Sequence, residues 1–315
     1  MTIAQLTSVA IDKTKFNTLQ DYTGFCQEYL EFVASGKLQA IIVARNENNC
    51  QFWQYGKSGN YQITRPINSH LMLQAESFGA AKETFSYTLR NLRGTPSGQN
   101  ADQMVRSYLN NTVYTIQQSI GAALDALPAG ASNTARKING DLFERLIRLV
   151  LVEMGVRAET GTVKVPVVVD DRTQFKMNYQ HDLIIEFQGE VRAIGSVKTS
   201  SKDRIDKIFI DKFLYSKLTE SDLPHIAIFL NDVQRAGKEP DYRVGATFLP
   251  GHFKGYTIKL NPLDGVYYCD IRPNMKTDTI LKRHIKTLDH LLCSDIWRFL
   301  NHKEDMKIEV EKKSE

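Results

Sequence analysis

The alternation of apolar and polar positions is clearest in the second half of the chain. From Gly140 to Met154, apolar residues recur at positions 142, 143, 146, 147, 150 and 151, which is a helical period. Gly155 follows, where a glycine commonly ends a helix. Val165–Val169 is rich in β-branched residues and predicts a strand, which Pro166 places at a strand start or a sheet edge. This half therefore opens with a helix and a strand.

The next segment predicts a β-hairpin. Leu183–Phe187 and Val191–Val197 are two largely apolar runs of strand length. Gln188-Gly189 lies between them and fits a tight turn. The two runs are therefore expected to pair in an antiparallel manner.

A helix and a buried strand complete the pattern. Residues 202–218 predict a helix for which Ser200 or Ser201 could serve as N-cap. His225–Leu230 is almost continuously apolar, as expected for a strand covered on both faces. The predicted order is helix, three strands, helix, strand (αβββαβ), which indicates an α/β protein with a mixed sheet flanked by helices.

The first 130 residues predict an additional α+β region. Short strands are expected at Leu38–Ala44, Cys50–Tyr55 and Tyr61–Thr64, and helices at 14–34, 70–92 and 102–127. Residues 128–134 are rich in Pro, Gly, Ala and Ser, which favours a loop. We therefore place a domain boundary there, with an N-terminal region at 1–130 and a second domain at 131–315.

Composition narrows the class of protein. The chain has 315 residues, of which 42% are hydrophobic and 24% charged, a balance typical of a globular protein. Its net charge of +4 and pI near 8.7 permit nucleic acid as a partner without requiring it. The four cysteines are scattered and show no zinc-ligand spacing. No signal peptide or membrane span is visible, so we expect a cytoplasmic protein.

The candidate chemistry lies at the open end of the predicted hairpin. Asp182 precedes its first arm and Lys198 follows its second, so a short turn should bring these two side chains together. Ser196 and Lys198 share a strand face by the period-two rule, and the Val197 side chain points to the other face. A lysine that ends an otherwise apolar strand is an unusual placement.

Phosphodiester hydrolysis is a reaction that such groups could perform. It needs a divalent cation to bind the phosphate and acidify a water, and a positive charge to offset the transition state. Mg²⁺ prefers hard oxygen ligands, which Asp182 and the Val197 carbonyl could supply. Glu144, on the first predicted helix, and Asp211, on the second, compete for the place of a further carboxylate. Each could instead be a solvated member of a helical charge pair.

The segment Gly195–Arg204, read as Gly-Ser-Val-Lys-Thr-Ser-Ser-Lys-Asp-Arg, resembles the active-site strand and following helix of EcoRII-type restriction endonucleases. NgoMIV-like enzymes carry a related Ser-x-Lys pattern. Both belong to the PD-(D/E)XK nucleases, whose αβββαβ core agrees with the predicted order. The resemblance covers about 100 residues, and the segment from Lys198 to Arg204 is its specific part.

The resemblance assigns roles to individual residues. It makes Asp182 the motif's aspartate and Lys198 the catalytic lysine. Ser196 stands where most of these enzymes have an acid, and the missing acid is displaced onto the next helix, at Asp211. The relatives usually have glutamate there, and His181 replaces the usual proline.

The resemblance also implies a DNA contact. In the related enzymes an Asp-Arg pair after the lysine reads bases in the major groove, which places Asp203 and Arg204 in that role. Arginine can bond guanine bidentately and a carboxylate can accept from cytosine N4. Lys202 could hold a phosphate. Asp203 could instead complement the helix dipole, with Arg204 a surface residue.

The function that these observations imply is sequence-specific, Mg²⁺-dependent cleavage of double-stranded DNA, as in a type II restriction endonuclease. Such an enzyme usually acts as a homodimer on a palindromic site, here expected to contain G·C pairs, and is accompanied by a methyltransferase that protects the host DNA. The alternatives are a repair or mobile-element nuclease with the same core, and a DNA-binding protein that has lost catalysis.

Overall fold

The computed structural model describes residues 1–56, 62–92, 101–128, 130–202, 204–301 and 310–312. Its helices are α1 (Ile3–Ile11), α2 (Leu19–Ala34), α3 (Ala75–Asn91), α4 (Gln103–Leu124), α5 (Ser132–Glu153), α6 (Ile205–Thr219), α7 (Pro250–Lys259), α8 (Pro273–Thr277), α9 (Leu281–His284), α10 (Leu288–His290) and α11 (Ile296–Leu300). Its strands are β1 (Ala40–Ala44), β2 (Glu47–Gln54), β3 (Ile67–Asn68), β4 (Arg157–Val169), β5 (Arg172–Phe187), β6 (Glu190–Ser200), β7 (His225–Asn231), β8 (Val233–Ala236), β9 (Arg243–Ala246), β10 (Gly265–Tyr268), β11 (Ile285–Thr287) and β12 (Val310–Lys312).

Seven of the described strands form one mixed sheet, in the order β11-β10-β7-β6-β5-β4-β12. Strands β4, β5 and β6 pair in an antiparallel manner, and β12 joins the edge beside β4. Strands β6, β7, β10 and β11 are parallel to one another. Because parallel neighbours need crossovers, α6 and α7 lie between these strands in the chain.

Helices cover both faces of this sheet. Along β7 the side chains alternate between two apolar clusters, with Ile228 in the cluster that includes α5 and Phe229 in the cluster that includes α6 and α7. All of β7 is buried, as its apolar run predicts. The α/β class, the αβββαβ order and the mixed sheet flanked by helices are thereby confirmed.

The N-terminal region combines helices α1–α4 with a small antiparallel sheet of β1, β2 and β3. The buried apolar side chains of its helices belong largely to the same cluster as those of α5, β5 and β6, whereas Cys50 and Phe52 of β2 pack in a separate cluster with Val244 of β9. Polar contacts also cross residue 130: the Tyr22 hydroxyl on α2 donates to the Leu142 carbonyl on α5 at 2.8 Å. No helix in the described ranges is long and apolar enough to span a membrane.

Two local predictions are confirmed by backbone geometry. Gln188 and Gly189 both have positive φ, at 55° and 84°, as a two-residue hairpin turn of the primed type requires. Gly155, at φ 82°, follows α5, and its amide donates to the Val152 carbonyl while the Val156 amide donates to the Leu151 carbonyl. This bond pair is the Schellman ending of a helix.

The predicted start of the helix at residue 202 is wrong. Strand β6 continues to Ser200, which pairs with Asn231 of β7, and α6 begins at Ile205 without a side-chain cap. The Ser200 hydroxyl instead lies 3.3 Å from that of Thr247 and accepts from the Lys202 amide. Parallel pairing with β7 thus extends the strand through Ser200, one of the two residues predicted as the helix cap.

A substitution at Gly195 tests how closely the centre of the sheet is packed. A Cβ at this position would lie 2.9 Å from Ile226 Cγ1 and 3.5 Å from Leu183 Cβ. We expect Gly195→Ala to lower the free energy of unfolding by about 1–3 kcal/mol, because overpacking in a filled core has no room to relax. Denaturant unfolding measures the change.

Gly255→Ala provides the control, since a Cβ there meets nothing within 4 Å. In the middle of α7, alanine should leave the stability unchanged or raise it by up to about 1 kcal/mol. Equal stability of the two variants would contradict the packing argument.

Candidate active site

The site begins where β5 and β6 separate. Their backbone pairing runs from Phe187–Glu190 to Leu183–Gly195. Beyond that point β6 continues beside β7, while β5 continues beside β4. The two strands therefore form a fork, and Asp182 and Ser196 are the first residues past its closed end.

A β-bulge in β5 sits at this fork. The partner of Glu159 on β4 is Ile184, and the partner of Gly161 is His181, so β5 carries one more residue than β4 across Asp182 and Leu183. A bulge reorients the side chains around it and occurs frequently next to active sites. The bulge therefore interrupts the regular alternation of the strand at Asp182 and Leu183.

Lys198 joins two carboxylates inside the fork. Its Nζ lies 2.6 Å from Asp182 Oδ2 and 2.8 Å from Glu144 Oε1. The Val197 amide also donates to Asp182 Oδ2, at 2.9 Å, and so fixes the carboxylate against β6. The hairpin prediction that Asp182 and Lys198 are neighbours is confirmed. Glu144 contacts Lys198 from α5, where it lies at the edge of the helix face that is buried.

The electrostatics reflect this crowding. Burial raises the pKa of Glu144 above its usual range, and the nearby Asp182 carboxylate adds to the rise against the lowering effect of Lys198. Burial alone would lower the pKa of Lys198, but the carboxylates of Asp182 and Glu144 outweigh it, so that pKa is raised. Two acids and one ammonium thus share a small, partly desolvated space.

The donor chemistry suits a hard divalent cation. Asp182 and Glu144 both approach one atom within 3 Å, so their oxygens converge on a common volume. One or two carboxylates with water and substrate oxygens are the usual Mg²⁺ environment. Within the described residues, no three His, Cys, Asp or Glu side chains gather closely enough to hold an ion unaided. Any cation here would also depend on other ligands, for which the predicted Val197 carbonyl is the neighbouring candidate.

Asp211 lies elsewhere. It is on α6, where it forms an ion pair with Lys207 one turn away. Together with Ser196 and His181 it lines a small cavity of about 10 Å³ between α6 and the sheet. Asp211 is therefore near the strand position that it is predicted to compensate, Ser196. Glu144, however, is the acid that contacts Lys198 beside Asp182.

Two buried histidines border that cavity. His181, to which the sequence analysis assigns no chemical role, lines the cavity, and burial lowers its pKa to about 4. No local sequence signal marks it, since the cavity forms between α6 and the sheet only in the folded protein. His225 is buried at the start of β7 with Nδ1 2.8 Å from the Leu223 carbonyl, in keeping with a structural histidine.

The residues predicted to contact DNA follow β6. Lys202 and Arg204 are exposed, and Arg204 occupies the N-cap position of α6. Lys202 Nζ donates to Gln234 Oε1 of β8 at 3.2 Å. Asp203 lies outside the described residues. The two described side chains are thus at the surface just beyond the fork.

Comparison with known proteins gives a structural match only. No protein-family profile and no curated sequence matches the chain. Its fold is similar to that of the type IIP restriction endonuclease Kpn2I, with a TM-score of 0.67, 14% sequence identity, and 95% of this chain and 97% of that chain covered. Restriction endonuclease PspGI, solved with substrate DNA, aligns over 71% of this chain and 90% of its own, at 13% identity and a TM-score of 0.40. The Kpn2I similarity establishes a shared fold.

The relative importance of Glu144 and Asp211 can be measured. We expect Glu144→Gln to slow metal-dependent DNA cleavage by more than about 100-fold, since loss of a group outside the ligand shell already costs up to that much. Asp211→Asn should have the smaller effect, because Asp211 is paired with Lys207 and does not contact Lys198. Single-turnover rates over a range of Mg²⁺ concentrations distinguish the two.

Asp206→Asn on α6 is a matched control for loss of a helix carboxylate, since its neighbour His252 is 3.8 Å away and exposed. If Asp211→Asn proved the more damaging change, the further carboxylate would come from α6, as the sequence resemblance implies.

Proposed function

We propose that the protein is a metal-dependent endonuclease that cleaves double-stranded DNA. The observation that carries this proposal is the convergence of Asp182, Glu144 and Lys198 at the fork between β5 and β6. Paired carboxylates beside a lysine are what phosphodiester hydrolysis requires, namely ligands for a cation and a positive charge for the transition state. The Kpn2I-like fold supports it, since that protein is a restriction endonuclease.

Different residues of the chain would bind the cation and stabilise the charge of the transition state. Asp182, held by the Val197 amide, and Glu144 would bind the cation through their oxygens, with the Val197 carbonyl and Asp211 as further candidates. Mg²⁺, when bound, would supply the Lewis acidity and acidify a water. The Lys198 ammonium would donate to the phosphate oxygen on which charge develops. Ser196, near Asp182, would leave the space that an acid fills in most relatives.

We further propose that the enzyme is a type II restriction endonuclease. Lys202 would hold a phosphate, and Asp203 and Arg204 would read a C·G pair, so that the target contains G·C pairs. A palindromic target would call for a homodimer with two-fold symmetry. A methyltransferase that protects the same site would then belong to the same restriction-modification system, in the cytoplasm.

Two other functions share this core. A repair or mobile-element nuclease would cut DNA in Mg²⁺ without giving discrete fragments. A catalytically inactive DNA-binding protein is favoured by one observation, the serine at position 196. It would bind DNA without cutting it. Digestion of phage DNA with and without Mg²⁺, followed by sequencing of the ends, separates the three.

Removal of the lysine tests the assignment of the site. We expect Lys198→Ala to lower the cleavage rate by about 100-fold to 1000-fold or more while DNA binding remains measurable, because the ammonium acts on charge that develops during reaction. Lys259→Ala, which removes an exposed lysine at the end of α7, is the control and should cut at the normal rate. Cleavage by Lys198→Ala at a near-normal rate would show that the reaction takes place elsewhere.

Arg204 tests the base contact. A bidentate contact with guanine contributes about 1–3 kcal/mol of discrimination, so Arg204→Ala should weaken binding to the cognate duplex by about tenfold to a hundredfold. Affinity for unrelated DNA should change little. Competition binding with both duplexes measures the two effects. An equal loss on both would instead make Arg204 a phosphate contact.

A further inference from the structure

Thr247, the residue after β9, connects the end of β7 with the end of β6. Its backbone amide and its hydroxyl both donate to the Asp232 carbonyl, at 2.6 Å and 2.7 Å. Asp232 directly follows β7, a strand that is buried along its whole length, so Thr247 is fixed to the centre of the sheet. The hydroxyl has given its one hydrogen to this contact, and its two lone pairs remain as acceptors.

The serines at the end of β6 lie beside those lone pairs. The Ser200 hydroxyl is 3.3 Å and the Ser201 hydroxyl 3.5 Å from Thr247 Oγ1. Because the Thr247 hydrogen is already used, the serines must be the donors. Ser200 Oγ in turn accepts from the Lys202 amide at 3.2 Å. The hydrogen bonds thus all point one way, from the Lys202 amide to the Asp232 carbonyl, and bonds aligned in this way strengthen one another.

These bonds anchor the segment that the proposed nuclease would turn towards DNA. The Arg204 amide donates to the Ser201 carbonyl at 3.2 Å. Ser201 is almost fully buried, whereas Lys202 and Arg204 are exposed. Helix α6 begins at Ile205 without a side-chain cap, so no cap fixes the segment from the helix side. The position of Arg204 at the surface therefore depends on how Ser201 and its neighbour are anchored.

The β8–β9 hairpin, from which Thr247 extends, rests on the N-terminal region. Between β1 and β2, the Asn46 side chain donates to the Val244 carbonyl at 2.8 Å and accepts from the Val244 amide at 2.9 Å. Apolar side chains of the hairpin are buried together with those of β1 and β2. From β8, Gln234 accepts from the Lys202 ammonium at 3.2 Å. The hairpin therefore contacts the DNA-facing segment at two points while the N-terminal region supports the hairpin.

We propose that Thr247 is a positioning residue for DNA recognition, whose hydroxyl fixes residues 201–204 so that Arg204 meets the base edges. This inference rests on the proposed function, in which Arg204 reads a base. It also gives the N-terminal region a part in sequence specificity, because that region supports the hairpin. The hydroxyl is directed at the protein's own serines and backbone, so its loss should affect only the binding that depends on Arg204.

The test uses a duplex that the unsubstituted protein selects from a pool of randomised sequences in EDTA. We expect Thr247→Val, which keeps the shape of the side chain but removes the hydroxyl, to weaken binding to that duplex by about threefold to tenfold. Affinity for unrelated DNA should change little. Thr247→Ser retains the hydroxyl and should recover most of the loss. Thr257→Val is the matched control and should bind normally, because the buried Thr257 hydroxyl has no hydrogen-bond partner among the described residues.

A double-mutant cycle shows whether Thr247 acts through Arg204. In the Arg204→Ala background, Thr247→Val should have almost no further effect on binding to the selected duplex. Additive losses, an equal loss on unrelated DNA, or binding by Thr247→Val that matches Thr257→Val would each overturn the inference. Denaturant unfolding checks that each variant is folded, and Thr247→Ala replaces Thr247→Val if the latter is not.

The outcomes also separate this inference from the proposed function. If the protein cleaves DNA in Mg²⁺ but Thr247→Val leaves its sequence preference unchanged, the positioning role is wrong and the nuclease stands. If the substitution has the expected effect but the protein never cleaves, the nuclease is wrong and the positioning role stands. A protein that prefers no sequence in the pool would overturn the type II assignment and the positioning role together.

Discussion

The separation of β5 and β6 after the Leu183–Gly195 pair is the constraint on which the site depends. Inside a continuous sheet, the polar side chain of Asp182 would stand perpendicular to the strands and meet an apolar helix face. At the fork its carboxylate can accept the Val197 amide and the Lys198 ammonium at once. The divergence thus creates a small volume that is lined by backbone, partly screened from solvent, and open to a ligand.

Charge balance determines which groups can occupy that volume. A buried charge is costly unless it is paired, so two carboxylates in one desolvated space need a cation between them or protonation of one of them. Lys198 fulfils this need in the protein described here. The same crowding that requires Lys198 in the folded state would, in the proposed nuclease, also favour a bound divalent cation.

The hairpin chemistry could be predicted from the sequence because it is local. The Gln188-Gly189 turn makes two adjacent strands pair, and this hairpin brings Asp182 close to Lys198 even though the register shifts between Ile185 and Glu186. Glu144 could not be placed in this way, because it is 54 residues from Lys198 and only tertiary packing decides where its helix lies. Periodicity identifies the buried face of that helix but not the strands beneath it.

Other features escaped prediction for related reasons. The bulge at Asp182 depends on the pairing of β5 with β4, and no residue type in the sequence predicts it. Helix α6 begins later than predicted because pairing with β7 extends β6 through Ser200. This is a contact between distant segments, which local capping preferences do not predict. A cleft of about 530 Å³ is lined by Arg65, Arg136 and Arg235, which are far apart in the chain and form no sequence motif.

The shared core across residue 130 has a consequence for genetics. Helix α5 packs on the N-terminal helices with one part of its surface and presents Glu144 with another. The Tyr22 hydroxyl contacts the same helix just two residues before Glu144. A random loss-of-function screen should therefore recover alleles in the N-terminal helices alongside those at the fork. Such alleles would act by disturbing the packing of α5 against the N-terminal helices. Their clustering would therefore not indicate a second catalytic centre.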